Sequence, residues 1–389
     1  MEAGKRELTG RYSLIQGFYW MNYSVLSGFV SVYMLDHGLN NAQIGAMIAV
    51  AGAAAALLQP VTAAYADRRD APPLTRILGA LLAVFLVFAA ALNLLYHRSA
   101  LMVVPVYCAC LMLLQVMTPL VHSVGMETLN RGDALRFSFA RGMGSLLYAV
   151  VTYLMGWLLP RTGTRLIPAA MFALYAALLA LVCTYPLRPR PQDYASSARK
   201  GDGARFLARY PSYRWVLVGV AGLFLSHGIF NSFCYQIVLS KGGGEQEMGT
   251  ALALACVFEL PVMFGFDRLK RYFSPRTMMG VTGIFFFLKA VGTYISPNIP
   301  LFYVTQVFQI CAWGLIAVCS VEYVNQEMRP EDVVKGQAWF TTMNTLGVIL
   351  GSLLGGVLLD NFGVPGMIAL SIAASAAGAV VLILALRKG

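Results

Sequence analysis

Long apolar runs separated by short polar segments repeat along the whole chain. A helix that crosses a bilayer needs about 20 predominantly apolar residues. Twelve such runs can be placed, near 13–35, 43–65, 76–96, 101–122, 138–159, 166–186, 214–238, 248–266, 277–295, 299–324, 338–359 and 365–386. The pattern predicts an all-α membrane protein of twelve transmembrane helices. One long polar stretch interrupts it, PLRPRPQDYASSARKGDGARFLARYPS at 187–213, rich in Pro, Ser and Gly. It reads as a cytoplasmic linker between a first six-helix half, 1–186, and a second, 214–389.

Composition sharpens this picture. The chain is 58% hydrophobic and 12% charged, whereas soluble domains carry about 25% charged residues. Most of its surface is therefore expected to face lipid or neighbouring helices. The net charge is +11, but the basic residues are spread over short loops, which argues against a nucleic-acid partner. With loops assigned alternately to the two sides, most Lys and Arg fall on one side, and both termini are then cytoplasmic in an inner membrane. The N-terminal MEAGKRELTGRYS is short and polar and does not read as a cleavable signal peptide. The seven cysteines lie almost all within spans. Their spacing suits neither a metal nor disulfides, and they read as buried small hydrophobes. No cofactor is expected.

Polar residues inside the apolar runs carry the functional signal, because ionisable groups at membrane depth are costly and usually mark a substrate or ion path. The stretch 251–274, ALALACVFELPVMFGFDRLKRYFS, holds Glu259, then Pro261, then a basic exit. Pro261 is expected to open the helix and free backbone groups for a ligand. A related plan, LLQPVTAAYADRR, places Gln59, Pro60 and Asp67 near the N-terminus. Together with NRGDALRFSF ahead of span five and MRPEDVVKGQAWF ahead of span eleven, it suggests an internal duplication. Lys289 is a lone ammonium in span nine, and the deep carboxylate available to it is Glu259. Arg141 and Tyr148 lie two turns apart on one face of span five, though snorkelling to the interface is the competing reading for Arg141. His227, Asn231 and Tyr235 form a polar stripe in span seven. Gln306, Gln309 and Trp313 follow in span ten, and Trp339 and Asn344 in span eleven. In span one, Tyr19, Trp20 and Tyr23 read partly as interfacial anchors, with Gln16 and Asn22 deeper. His122 and His227 read as hydrogen-bonded helix contacts.

Three strings in this chain resemble the major facilitator superfamily, specifically the lactose permease-like sugar–proton symporters and the wider group with the nucleoside and phenylpropionate permeases. They are LLQPVTAAYADR, FSFARGMG and FELPVMFGFDRLKRYFS. The resemblance implies two pseudo-symmetric six-helix bundles with a substrate site at mid-membrane. It implies substrate contacts by Arg141 and Glu259, with Tyr148 where the family has a stacking Trp and Lys289 at a basic position of span nine. It also implies cytoplasmic gating by Asp67 and Arg68 and by Asp267 and Arg268. The chain departs from lactose permease in span ten, where Gln309 and Ala312 stand in place of the proton-handling His and Glu. The charged pairs of the family are neutral here, with Asn231 expected opposite Gln306 and Gly228 opposite Asn344.

These readings predict a transporter and not an enzyme, since no nucleophile–base pair or metal cluster is visible. The expected function is secondary active transport of a small polar solute by alternating access, coupled to protons through Glu259 and Lys289, with a sugar or glycoside as the favoured solute. Asn231, Gln309, Trp313 and Trp339 complete the expected substrate contacts. The alternative is an uncoupled facilitator or an exporter of a nucleoside or small aromatic acid. The expected partners are the solute, protons and the lipid bilayer, and the expected state is a monomer.

Overall fold

The computed structural model describes residues 2–66, 68, 70–130, 135–186, 203–329 and 332–388. The described residues form helices joined by short turns, with no strand among them. In order they form α1 (Glu2–Tyr23), a π-helical turn (Ser24–Gly28), α2 (Val30–Asp36), α3 (Asn41–Ala66), α4 (Leu74–Leu95), α5 (Ala100–Asn130), α6 (Phe137–Thr162) and α7 (Leu166–Cys183). There follow α8 (Gly203–Arg209), α9 (Pro211–Ser240), α10 (Glu245–Tyr272), α11 (Pro275–Ile295), α12 (Ile299–Thr305), a 3₁₀ turn (Gln306–Ile310), α13 (Trp313–Glu327) and α14 (Val333–Lys388).

Among the described residues, 10 helical stretches are long and apolar enough to cross a membrane, against the twelve apolar runs of the sequence. Two local breaks explain the difference. The first run is divided by the π turn, leaving a polar-headed α1 and a short α2. The last two runs join in α14, 56 residues long, which is interrupted only at Gly363.

Prolines do not break the helices as expected. α10 continues through Pro261 to Tyr272, and α3 continues through Pro60. A proline removes one backbone donor, and membrane helices absorb that loss where neighbouring groups satisfy the freed carbonyl. The non-helical residues lie elsewhere and recur at matching places in the chain. Phe29 (φ −106°, ψ 14°) and Phe233 (φ −122°, ψ 24°) share one conformation. Gly38 and Gly242 both have φ 81°. Each of these glycines ends its helix with the same pair of backbone bonds: Gly38 to Leu35 and Leu39 to Met34, then Gly242 to Leu239 and Gly243 to Val238. This double bond with a left-handed residue is the Schellman termination, which glycine adopts without steric cost. The helix that follows is capped alike, by the Gln43 side chain on the Asn40 N–H and by the Glu247 side chain on the Gly244 N–H. Gly163 (φ 75°, ψ 174°) and Gly363 (φ 66°, ψ −173°) form a further matched pair.

The chain divides into two compact units, residues 1–39 with 50–198, and residues 40–49 with 199–389. In unit 1, α1 packs on α6, and α4 packs on α5 and α7. Tyr12, Tyr19, Phe85, Tyr107 and Tyr175 are fully buried there. The Tyr107 hydroxyl donates to the Leu26 carbonyl at 2.7 Å, satisfying an acceptor of the π turn. In unit 2, α9 lies along α14 on a seam of small residues. The Ser226 and Ser371 hydroxyls meet at 2.6 Å, and those of Ser232 and Ser352 at 2.8 Å. Gly351 packs so closely that a Cβ there would sit 2.2 Å from the Leu225 carbonyl oxygen. Small residues allow this backbone approach, which replaces the hydrophobic drive that lipid cannot supply.

The buried carboxylate of Asp332, before α14, accepts from Arg209 Nη1 at 2.6 Å and from the Tyr210 hydroxyl at 3.0 Å. Desolvation raises its carboxyl, but the hydrogen bonds from Arg209 and Tyr210 and the charges of Arg209 and Lys335 outweigh it and hold it below the usual carboxylate range. The group therefore stabilises the fold at pH above the ordinary Asp range, and that stabilisation is lost as pH falls through the depressed folded value.

Gly351→Ala is expected to lower the melting temperature in detergent, at a cost of about 1–3 kcal/mol for overpacking. Gly265→Ala, where a Cβ meets nothing within 4 Å, is the control and should not lower it. Asp332→Asn should lower the melting temperature at pH 7, and the gap to wild type should narrow as the pH is taken below the ordinary carboxylate range.

Candidate functional site

Among the described residues, each unit buries a cluster of charged and amide side chains among its apolar helices. In unit 1 the cluster is built on α1, α5 and α6. Gln16 and Trp20 are one turn apart on α1, and the Trp20 indole N–H donates to Gln16 Oε1 at 3.2 Å. Gln16 Nε2 donates to the Tyr12 hydroxyl at 2.6 Å and lies 3.3 Å from His122 Nδ1 on α5. Tyr12 in turn donates to the Val121 carbonyl at 3.2 Å. From α6, the Arg141 guanidinium sits 4.4 Å from the Trp20 ring centroid. That is cation–π geometry, which strengthens where water is excluded. Gly144, one turn beyond Arg141, makes room for the ring, since a Cβ there would meet Trp20 Cδ1 at 2.6 Å. Tyr23 and His122 extend the aromatic group, with centroids 5.1 Å and 6.5 Å from Trp20.

In unit 2 the cluster joins α10, α11 and the 3₁₀ turn. Lys289 Nζ donates to Gln309 Oε1 at 2.5 Å, and Gln309 Nε2 donates to Glu259 Oε1 at 2.8 Å. Glu259, Gln309 and Lys289 are 4%, 5% and 8% exposed, so the ammonium, amide and carboxylate share one dry environment. The Gln309 amide bridges the two charges. Beside this triad, the rings of His227 and Trp313 stack at 4.8 Å with planes 2° apart, and Phe224 and Phe286 meet them edge-on. Gly314 lets α13 close on α10, since a Cβ there would lie 3.2 Å from Glu259 Cα.

The 3₁₀ turn that delivers Gln309 has no proline. The side chains of Thr305 and Gln306 both donate to the Phe302 carbonyl, at 2.7 Å and 3.1 Å. Side-chain claims of this kind compete with the backbone ladder. The tighter turn follows at once, and the chain re-enters α-helix at α13 after Ala312 (φ −80°, ψ −92°).

The structure thus brings Arg141 together with Trp20, and Glu259 with Gln309 and Lys289. Trp313 stacks on His227 and is followed by Gly314, which packs against Glu259. Tyr148 is half-buried on α6, where its carbonyl accepts from Thr152 at 2.7 Å. Asn231 is half-buried just before the Phe233 break, which parts it from Tyr235, whose hydroxyl donates to Glu245 at 2.7 Å. Trp339 packs on the unit 2 core. Gly228 packs on the Val348 backbone, where a Cβ would lie 2.8 Å from the Val348 Cα, one turn beyond Asn344. Gln59 donates to the Gln115 carbonyl at 2.9 Å and acts as a helix-to-helix tie. Of the gating residues, Asp67 lies outside the described residues. Arg68 sits 5.6 Å from the Tyr65 ring centroid, and Arg268 is exposed. Asp267 pairs with Lys270 at 2.9 Å within the same exposed turn. Such a surface pair contributes little stability. Among the described residues, no group of three or more His, Cys, Asp or Glu could hold a metal ion.

Gln16, Trp20, His122 and His227 lie outside the substrate contacts expected from the sequence, where they read as a deep polar residue, an interfacial anchor and two helix contacts. The spacing of Gln16 and Trp20 was the available signal, because residues four apart on a helix face each other.

Charged and amide groups gathered inside long apolar helices define a multi-pass membrane protein of the transporter type. The chain belongs to the MFS_1 like family, whose sequence model matches residues 12–367. Its fold is similar to the nucleoside transporter NupG, at TM-score 0.78 and 14% identity over 98% of this chain and 99% of that one. It is also similar to a bacterial homolog of the human lysosomal transporter Spinster, inward-facing and unoccupied, at TM-score 0.74 and 14% identity over 100% and 98%. A variant of the peptide transporter POT aligns at TM-score 0.76 and 10% identity over 98% and 95%. No curated protein matches the chain in sequence.

Gln309→Leu is expected to leave Glu259 and Lys289 buried without their bridge, and to lower the melting temperature by the equivalent of about 1–3 kcal/mol or more. Adding Glu259→Gln and Lys289→Met to that variant should recover much of the loss, because removing both charges together strands neither.

Proposed function

We propose that the protein is a secondary active transporter of a small ring-bearing polar solute, coupled to protons. The observation that carries this reading is the buried chain Lys289–Gln309–Glu259. Its amide ties the protonation of Glu259 to the position of Lys289. With Glu259 ionised, Gln309 turns its N–H groups to the carboxylate and its carbonyl to the ammonium. A proton on Glu259 makes that oxygen a donor, and an amide that turns to accept from it presents N–H groups to Lys289. Proton binding therefore disturbs the whole triad, which is the differential interaction that a shift between two conformations requires. In this reading the halves 1–186 and 214–389, joined by 187–213, expose the solute alternately to the two sides of an inner membrane, with both termini cytoplasmic.

For the solute, a nucleoside is favoured over a sugar. Each cluster sets aromatic faces beside hydrogen-bonding groups: Trp20 and Tyr23 near Arg141 and Gln16, and His227 and Trp313 near Gln309 and Glu259. Flat apolar surface next to polar edges matches a base joined to a ribose. The nucleoside transporter with a similar fold acts on a solute of that chemistry. A sugar or glycoside is the second reading, favoured by the placement of Arg141 and Glu259 in the strings that resemble lactose permease.

Purified protein in liposomes should accumulate labelled uridine when an inward proton gradient is imposed, and Glu259→Gln should abolish that accumulation. If uridine enters equally well with the gradient collapsed, the coupling is wrong. If lactose is taken up and uridine is not, the sugar reading replaces the nucleoside one.

A further inference from the structure

The unit 1 cluster fixes the position of a proton. An indole N–H only donates, so the atom of Gln16 facing Trp20 must be its carbonyl oxygen. The Gln16 amino group therefore faces Tyr12 and His122. Tyr12 can accept from it, because its own hydroxyl proton goes to the Val121 carbonyl. His122 Nδ1, at 3.3 Å from that amino group, must then be an unprotonated acceptor. A proton on Nδ1 would set two N–H groups against each other. The imidazole is accordingly neutral with its proton on Nε2. Among the described residues Nε2–H has no hydrogen-bond partner, and His122 is only half-buried.

His122 and Arg141 share Trp20 as a neighbour, its ring 6.5 Å from the His122 ring and 4.4 Å from the Arg141 guanidinium. A guanidinium carries only donors. We propose that His122 is a specificity-determining residue whose Nε2–H, together with Arg141, gives this half of the transporter a donor-only wall, so that the solute must present an acceptor there: a ring carbonyl or a carboxylate oxygen. Gln16 is the positioning residue that sets the tautomer. A solute group that only donates finds no partner on this wall, and a site whose polar groups are left unpaired rejects such an analogue strongly. The inference rests on the transport reading for the solute's passage, but not for the tautomer or for binding.

The test uses full-length protein with ¹⁵N-labelled histidine rings, the His122 signals being those lost in His122→Asn. The wild type should show His122 Nδ1 bare and Nε2 protonated. Gln16→Glu, which offers only acceptors, should move a proton onto Nδ1. Adding uridine or 3-phenylpropionate, which carry ring carbonyls and a carboxylate, should shift the Nε2–H signal. His122→Phe should weaken binding of the responding probe about tenfold, the loss of one hydrogen bond, and His122→Gln, which keeps an N–H in reach, should recover most of it. A wild-type Nδ1 that carries the proton overturns the proposal. So does an Nε2–H signal unmoved by both probes, or a His122→Phe variant that binds the responding probe as tightly as wild type. If the signal shifts and the variants behave as expected while liposomes take up neither probe, the donor wall stands and the transport reading fails.

Discussion

Polar groups inside apolar helices must find their hydrogen bonds within the protein, since lipid offers none. That constraint explains how the two clusters are built. Lys289 and Glu259 are buried with their charges, and the Gln309 amide answers both with one planar group. In the other unit a single glutamine, Gln16, meets an indole, a phenol and an imidazole. Both solutions use an amide because it donates at one end and accepts at the other. Each amide is thereby given a direction, and direction is what lets a change at one neighbour reach the next.

The helices around the clusters supply stiffness of a different kind. Along α9 and α14 the contact is made by glycines and paired serines, which bring the backbones together and leave little room for relative sliding. Adaptable elements are kept short: the π turn in the first apolar run, the break at Phe233, and the 3₁₀ turn before α13. Short irregular segments of this sort inside longer helices often mark functional positions.

Apolar runs revealed the helical, membrane-spanning character of the chain directly, because about 20 residues of low polarity admit few other structures. Helix count was harder, because a π turn after Tyr23 and a positive-φ glycine at 363 leave no compositional trace distinct from an ordinary span. Pro261 misled for the opposite reason. It is a strong breaker in water, yet within α10 it costs only one backbone bond. That Lys289 needs a polar partner is readable from its isolation in span nine. The bridge through Gln309 is not, since it depends on a 3₁₀ turn set by Thr305 and Gln306 competing for one carbonyl. The partner of His122 is on another helix, and no spacing within α5 points to Gln16.

The tight turn at Gln306–Ile310 has a mechanical side. Rewinding those residues as α-helix would shorten that segment by about 0.5 Å per residue and unwind it by about 20° per residue. Summed over the turn, everything beyond it would screw inward by roughly 2.5 Å and rotate by about a quarter of a revolution. Trp313 would then swing away from His227, and Gln309 would leave the gap it fills. A change of pitch over so few residues thus acts as a gear, converting a small axial displacement into a large reorientation of the side chains at its end.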